Sequence, residues 1–415
     1  MNEQYLAIIC KLIDQQPLPN QLKIEISKYS DTEWEDFLAA VHNYGLTTLV
    51  YNHLKNLDLI NKIPDAHQQT MHSAVLTNVA RNSIFLHKAG MILNALNQAE
   101  IPAIGLKGVY LLENIYQDVS LRSMSDIDLL LRKQDIPKAL RVCETLGYHP
   151  TTYFSIDDDN LDIKHVPPLK TKDGPYLELH WTILEENAPF SIEVEGLWTR
   201  AVPVTIAGVP AFAFSPEDLI LHLCMHLSYQ HEFNIGLRGL YDIAAVLHHF
   251  ENQVDWHELI TIAQAWGVTR VLWVSLELVS DFFSVPVPLD ILNQLQPTQP
   301  KPWILQQARS QLILSQYGSG QMTPDLAKFA SQGGILPRLR LILQRIFIPK
   351  RTLARLYNVP PTSLRIYSCY IRRMVDLIRQ YRMSVRHILN RDASTMVSAE
   401  TQQASQRLNL WMSEK

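Results

Sequence analysis

Near residue 99 the apolar residues of this chain stop recurring every three to four positions and begin to alternate. Before that point Phe85, Ala89, Ile92 and Leu96 make one helical stripe. After it come short runs of strand character: IPAIGLKG (101–108), DIDLLL (126–131), YHPTTYF (148–154), LDIKHV (161–166) and PYLELHW (175–181). Between them QDIPKALRVCETLG (134–147) reads as a helix closed by glycine, and VPVTIAGVPAFAF (202–214) as a hairpin turning at Ala207-Gly208. At Ser215 the helical period returns, with Ser215 as N-cap, Pro216 in the first turn, and Glu217 and Asp218 beside the positive helix end. A double change of period restricts the chain to an α+β fold in which a small mixed sheet is flanked by helices. The expected units are an N-terminal helical region (1–98), an α/β core (99–214), a helical domain (215–335) and a basic helical segment with its tail (336–415). QYGSGQ (316–321) reads as a loop, and the polar tail after 392 is expected to fray.

Charge is distributed unevenly. The net value is −4, yet residues 338–391 hold 13 Lys/Arg and one acid, Asp376, so the remaining chain (24 basic, 40 acidic residues) carries −16. The basic segment therefore calls for an anionic partner or for docking on the acidic body. Its tyrosines and arginines are compatible with nucleic acid. Docking is the favoured expectation, because Leu339, Leu341, Ile342, Leu343, Ile346 and Phe347 interleave with the arginines and call for burial. Four scattered cysteines without a Cys-x-x-Cys pair exclude a zinc ribbon and fit a reducing cytoplasm. MNEQYLAIICKLIDQQ lacks the basic leader of a signal peptide, and no apolar run approaches the ~20 residues of a membrane span.

Asp126 and Asp128 stand at the mouth of the apolar run of RSMSDIDLLL. Alternation puts both on one strand face, where two like charges need a counter-charge. A divalent cation supplies it, and Mg²⁺ favours one or two carboxylates plus substrate phosphates. Glu178 alternates with Tyr176 and His180 and is the candidate third carboxylate. His180 is expected to orient Glu178, line an acceptor site or cap its strand. For phosphates, Lys107 and Arg122 offer cations, while Gly105 and Gly108 allow close backbone approach ahead of a helix N-terminus. Arg122 pairing with Asp118 or Asp126 is the plainer alternative. Arg238 and Asp242, four apart, read as an intrahelical pair or as contributors to the cleft, and His222 and His226 as packed histidines rather than zinc ligands. Walker A, dinucleotide-binding and nucleophile-elbow patterns are missing from the sequence.

The order strand-Lys-Gly, helix, Arg-x-x-x-Asp-x-Asp strand, acid-x-His strand resembles the nucleotidyltransferase superfamily, which includes antibiotic-modifying nucleotidyltransferases and DNA polymerase beta. More narrowly, LKGVYLLENIYQDVSLRSMSDIDLLL, LGY, ELHW, FSPEDLILHLCMH and GLRGLYDIAAVL resemble the bacterial uncharacterised nucleotidyltransferases over about residues 30–285. The resemblance implies Mg²⁺-dependent transfer of a nucleoside monophosphate from a nucleoside triphosphate to an acceptor hydroxyl, with pyrophosphate released. It also implies Asp126, Asp128 and Glu178 as metal ligands, and Lys107, Gly108, Arg122, His180, Arg238 and Asp242 on the substrate side. The acceptor is a small molecule, peptide, protein or RNA. Three departures stand out: Val109 replaces the loop serine that grips a phosphate, 17 residues separate Gly108 from Asp126, and Glu178 replaces the commoner aspartate. They keep a second expectation open, a nucleotide-sensing or partner-binding protein with weak or lost turnover. A metal-dependent glycosyltransferase is disfavoured, because there the acids follow the apolar run rather than precede it.

Overall fold

The computed structural model describes residues 2–14, 16–152, 163–299, 301–314, 335–389 and 393–414. The loop expected at 316–321, the end of YHPTTYF and the start of LDIKHV lie outside them.

The N-terminal region is helical: α1 (Asn2–Ile13), α2 (Asn20–Ile26), α3 (Asp31–Asn43), α4 (Thr47–Asn56) and the long α5 (Asp65–Gln98). Ser30 caps α3 through a reciprocal bond with Glu33. Trp34 and Phe37 of that helix pack edge-on with Tyr29, and Phe37 also meets Tyr5 of α1.

One mixed sheet follows. Its strands are β1 (Ile104–Gly105), β2 (Asp126–Leu130), β3 (His149–Pro150), β4 (Leu169–Lys170), β5 (Tyr176–His180), β6 (Val202–Ile206) and β7 (Val209–Ala213). They lie in the order β3-β4-β5-β2-β1-β7-β6. The short α6 (Lys107–Tyr110) and a π-turn (Leu111–Tyr116) connect β1 towards β2; α7 (Ile136–Thr145) and α8 (Val194–Thr199) complete the layer. β2 and β5 are central and parallel, with Ile127, Leu129, Leu177 and Leu179 fully buried. The β6–β7 hairpin turns at Ala207 (φ 51°) and Gly208 (φ 75°), as the sequence predicts, because a two-residue hairpin turn of this hand needs both residues left-handed.

Helices α9 (Pro216–Met225), α10 (Gly236–His249), α11 (Trp256–Trp266), α12 (Thr269–Phe282), α13 (Leu289–Leu295) and α14 (Trp303–Leu314) come next. The predicted cap is present: Asp218 N donates to Ser215 Oγ at 3.2 Å. Beyond them lie α15 (Ile335–Ile346), α16 (Lys350–Tyr357), α17 (Ile366–Leu389) and α18 (Ala393–Ser413). Among the described residues no helix is long and apolar enough to cross a membrane.

Two expectations for the C-terminal part are corrected. The tail does not fray; α18 buries Leu408, Trp411 and Met412 in the main core. Trp411 meets Trp273 edge-on, and Arg270 donates to its carbonyl. Three well-spaced apolar residues suffice to anchor a mostly polar helix. The basic segment does not bury its apolar residues on the acidic body either. Leu353, Ala354, Ile366 and Cys369 form a small core of their own, while Leu339, Ile342, Leu343 and Phe347 are exposed and Leu341 and Ile346 half-buried.

Candidate active site

The pairing of β2 with β5 sets Asp128 opposite Glu178 and Asp126 opposite Tyr176. Paired residues of adjacent strands share a face, so the two carboxylates project together. Asp128 is buried and Glu178 half-buried, with Asp126 nearer the mouth. His180 Nε2 donates to Asp128 Oδ1 at 2.9 Å and lies 3.4 Å from Glu178 Oε2. It therefore orients both carboxylates. His165, bridged to His180 across the strand end, stands 3.8 Å from Glu178. Lys107 Nζ lies 3.5 Å from Asp128 Oδ1. Its backbone is left-handed (φ 44°), a strained conformation for a residue with a side chain.

Burial acts on all three acids, but their neighbours pull them apart. Burial and the Asp128 charge raise the Asp126 carboxyl above its ordinary value. Burial would raise Asp128 as well, yet Lys107 and the His180 hydrogen bond outweigh it and hold Asp128 below the usual range. For Glu178, burial is likewise outweighed by His180 and His165, and its carboxyl is lowered. Asp128, Glu178 and His180 offer ligand atoms all within 4.8 Å of one another. This donor set, oxygen-rich and already oriented, fits a divalent cation.

The long connection from Gly108 to Asp126 is held from outside the sheet. Asn82 of α5 donates to the carbonyls of Val119 (2.7 Å) and Arg122 (2.8 Å) and accepts from Met124 N. Asn78, one turn earlier, donates to Ser120 O. These buried asparagines give loop carbonyls the partners they need. Gly108 contributes by size: a Cβ there would lie 3.0 Å from the Arg122 guanidinium and 3.1 Å from Met124.

Arg122 and Asp242 sit together, though not as expected. Arg122 Nε and Nη2 bind the two Asp242 oxygens at 2.8 and 2.9 Å, and the Tyr116 hydroxyl donates to the same carboxylate. Burial disfavours the charged guanidinium, but Asp242 more than compensates and holds Arg122 protonated. The intrahelical Arg238–Asp242 pair is not formed. A bidentate buried partner displaces a local one worth only ~0.3–0.5 kcal/mol. Arg238 instead donates to Ser123 Oγ at 3.0 Å, and no ion pair to it occurs among the described residues. Burial and the neighbouring Arg122 both disfavour its charge.

Sequence reasoning missed Lys164, His165 and Ser123. Lys164 bonds Gln230 at 3.0 Å and stands 3.8 Å from Glu185, and burial and then Lys107 lower its basicity. Its signal was present in LDIKHV, where Lys164 and His165 precede a buried valine, but only pairing with β5 brings them to the acids. His222 and His226 are packed residues: His222 lies against Phe214 with neither ring nitrogen partnered.

Burial pushes His165, His222, His226 and His231 below their ordinary value. The unfolded chain takes up these protons near pH ~6.5 while the folded chain does not. Stability is thus fully present above that pH and falls as pH drops through it. The melting temperature should decline between about pH 7 and pH 5, and less so in His222→Leu. A flat profile over that range would contradict the assignment of these rings as neutral.

Three comparisons with known proteins bear on the chain. The family described as uncharacterised nucleotidyltransferase matches residues 30–284. No curated protein matches. The solution structure of the antibiotic-resistance factor ANT(2'')-Ia is similar at 14% identity and a TM-score of 0.32, covering 49% of this chain and 98% of that one.

Proposed function

This chain belongs to the family of uncharacterised nucleotidyltransferases, and from that premise we propose that it moves a nucleoside monophosphate from a nucleoside triphosphate to an acceptor hydroxyl. The observation that carries the reading is the β2–β5 register, which sets Asp128 beside Glu178 with Lys107 3.5 Å from Asp128. Asp126, Asp128 and Glu178 would hold Mg²⁺. When bound, the cation neutralises the phosphates and assists departure of pyrophosphate. His180 fixes the rotamers of Asp128 and Glu178 before substrate arrives. Lys107 and Arg238 would donate to phosphate oxygens, Arg238 being bound to Ser123 Oγ rather than ion-paired among the described residues. Glu178, besides holding the cation, would help to take the proton of the attacking hydroxyl.

One observation favours the sensing alternative. Val109, fully buried, stands where the superfamily serine would donate to phosphate. Incubation with each α-labelled nucleoside triphosphate, a cell extract and Mg²⁺ separates the two readings. Label transfer with stoichiometric pyrophosphate, abolished by a chelator, supports transfer. Nucleotide binding without pyrophosphate leaves a sensor, and neither result rejects the site altogether.

Because Val109 offers no donor, Lys107→Ala and Arg238→Ala should each weaken triphosphate binding by about 10-fold or more. Monophosphate binding should change far less. Equal losses for the two ligands in calorimetric titration would remove both side chains from the phosphate grip.

A further inference from the structure

We infer that the basic helical segment 335–389 is a docking surface for an anionic lipid bilayer. On α15, Leu336, Leu339 and Leu343 are exposed at intervals of three and four, with Phe347 continuing the spacing just past its end; Leu336 is 79% and Phe347 64% accessible. On α17, Tyr367, Ile371, Met374 and Ile378 repeat the pattern, with Ile371 65% accessible. Each set makes one stripe along its helix. These stripes are not needed to fold the segment, whose own core of Leu353, Ala354, Ile366 and Cys369 is buried between α16 and α17. Water-facing Leu, Ile, Met and Phe in such number mark a surface awaiting an apolar partner.

Charge identifies the partner. Residues 338–391 carry 13 Lys/Arg against Asp376 alone, and Asp376 already accepts from the Tyr357 hydroxyl. A second copy of the chain would bring two such segments, each about +12, face to face across a symmetric interface. A polynucleotide would pair with the cations and stack on the tyrosines, but would leave the aliphatic stripes in water. The surface of an anionic bilayer meets both demands at once: headgroup phosphates take the guanidinium groups, and the aliphatic side chains enter the boundary with the acyl chains. The segment would lie on the surface rather than span it.

The test is flotation of the intact protein with vesicles of phosphatidylcholine alone or mixed with phosphatidylglycerol, at low and high salt, beside a titration with polyuridylate. The double variant Ile371→Ser/Ile378→Ser leaves every charge in place and alters two side chains that are already exposed. The intact protein should float with the anionic vesicles, at least about 10-fold better than with neutral ones, and lose binding as salt rises. The double variant should bind about 10-fold more weakly or worse while melting as the parent does. Three results would each overturn the inference. One is failure to float with anionic vesicles at low salt. Another is unchanged flotation of the double variant, with or without tight polyuridylate binding, which would mark a purely electrostatic arm. The third is a clear fall in its melting temperature, which would mean the stripe is covered by the chain itself.

Discussion

Asp128→Asn should reduce nucleotidyl transfer by about 10³-fold or more while leaving a folded protein. Asparagine keeps the shape of the side chain and one acceptor oxygen, but it removes the charge of the most buried of the three acids. It also leaves Lys107 and His180 a neutral acceptor in place of the charged Oδ1 they share. Removing one member of a buried ion pair is ordinarily severe, yet Lys107 retains a path to solvent, with 15% of its side chain accessible. The melting temperature should therefore move by only a few degrees. Asp126→Asn, nearer the mouth, should act in the same direction. Pyrophosphate release and calorimetric titration with Mg²⁺-nucleotide measure the effect. A folded Asp128→Asn protein with parental turnover would sink the site.

The largest loss of stability is expected at Asp242→Asn. Arg122 and Asp242 are bound through two hydrogen bonds, with 10% and 7% of their side chains accessible. An amide at 242 would turn a donor towards a guanidinium that has no acceptor to spare. Leaving that charge buried and unpaired costs about 3–5 kcal/mol, or roughly 3–6 °C in melting temperature for a chain of this length. The Tyr116 hydroxyl would lose its charged acceptor as well. Replacing both partners, Arg122→Met with Asp242→Leu, should recover most of the loss, because an apolar pair needs no counter-charge. The double variant also separates two roles for Arg122. If the residue is a strut for the 118–124 loop, the variant keeps Mg²⁺-nucleotide affinity within a few-fold. Parental stability combined with a large loss of triphosphate affinity would instead return Arg122 to the phosphate grip.

These two sites differ in how far the sequence discloses them. Asp126 and Asp128 share a face because successive side chains of a strand alternate, a rule that needs only two neighbouring peptide units. The Ser215-Pro216 helix start, the Ala207-Gly208 turn and the α5 stripe are legible for the same reason: each is decided within a few residues of backbone. Asp242 was different. A local rule paired it with Arg238, and the fold gave it to Arg122, 120 positions away.

Sequence alone thus determined the α+β class and the two aspartates at the mouth of a strand. It also fixed the alternation that turns Glu178 and His180 to one side. Only the tertiary structure decided that β5 lies beside β2 in the register that joins Asp128 to Glu178, and that His180 reaches Asp128. It alone decided that two asparagines of α5 hold the long loop, that α18 packs rather than frays, and that the basic helices leave their stripes exposed. Backbone geometry repeats over a few residues and so leaves a periodic trace in the chain. The choice of a distant partner is made by the sum of burial and charge satisfaction over the whole molecule, and no local pattern records it.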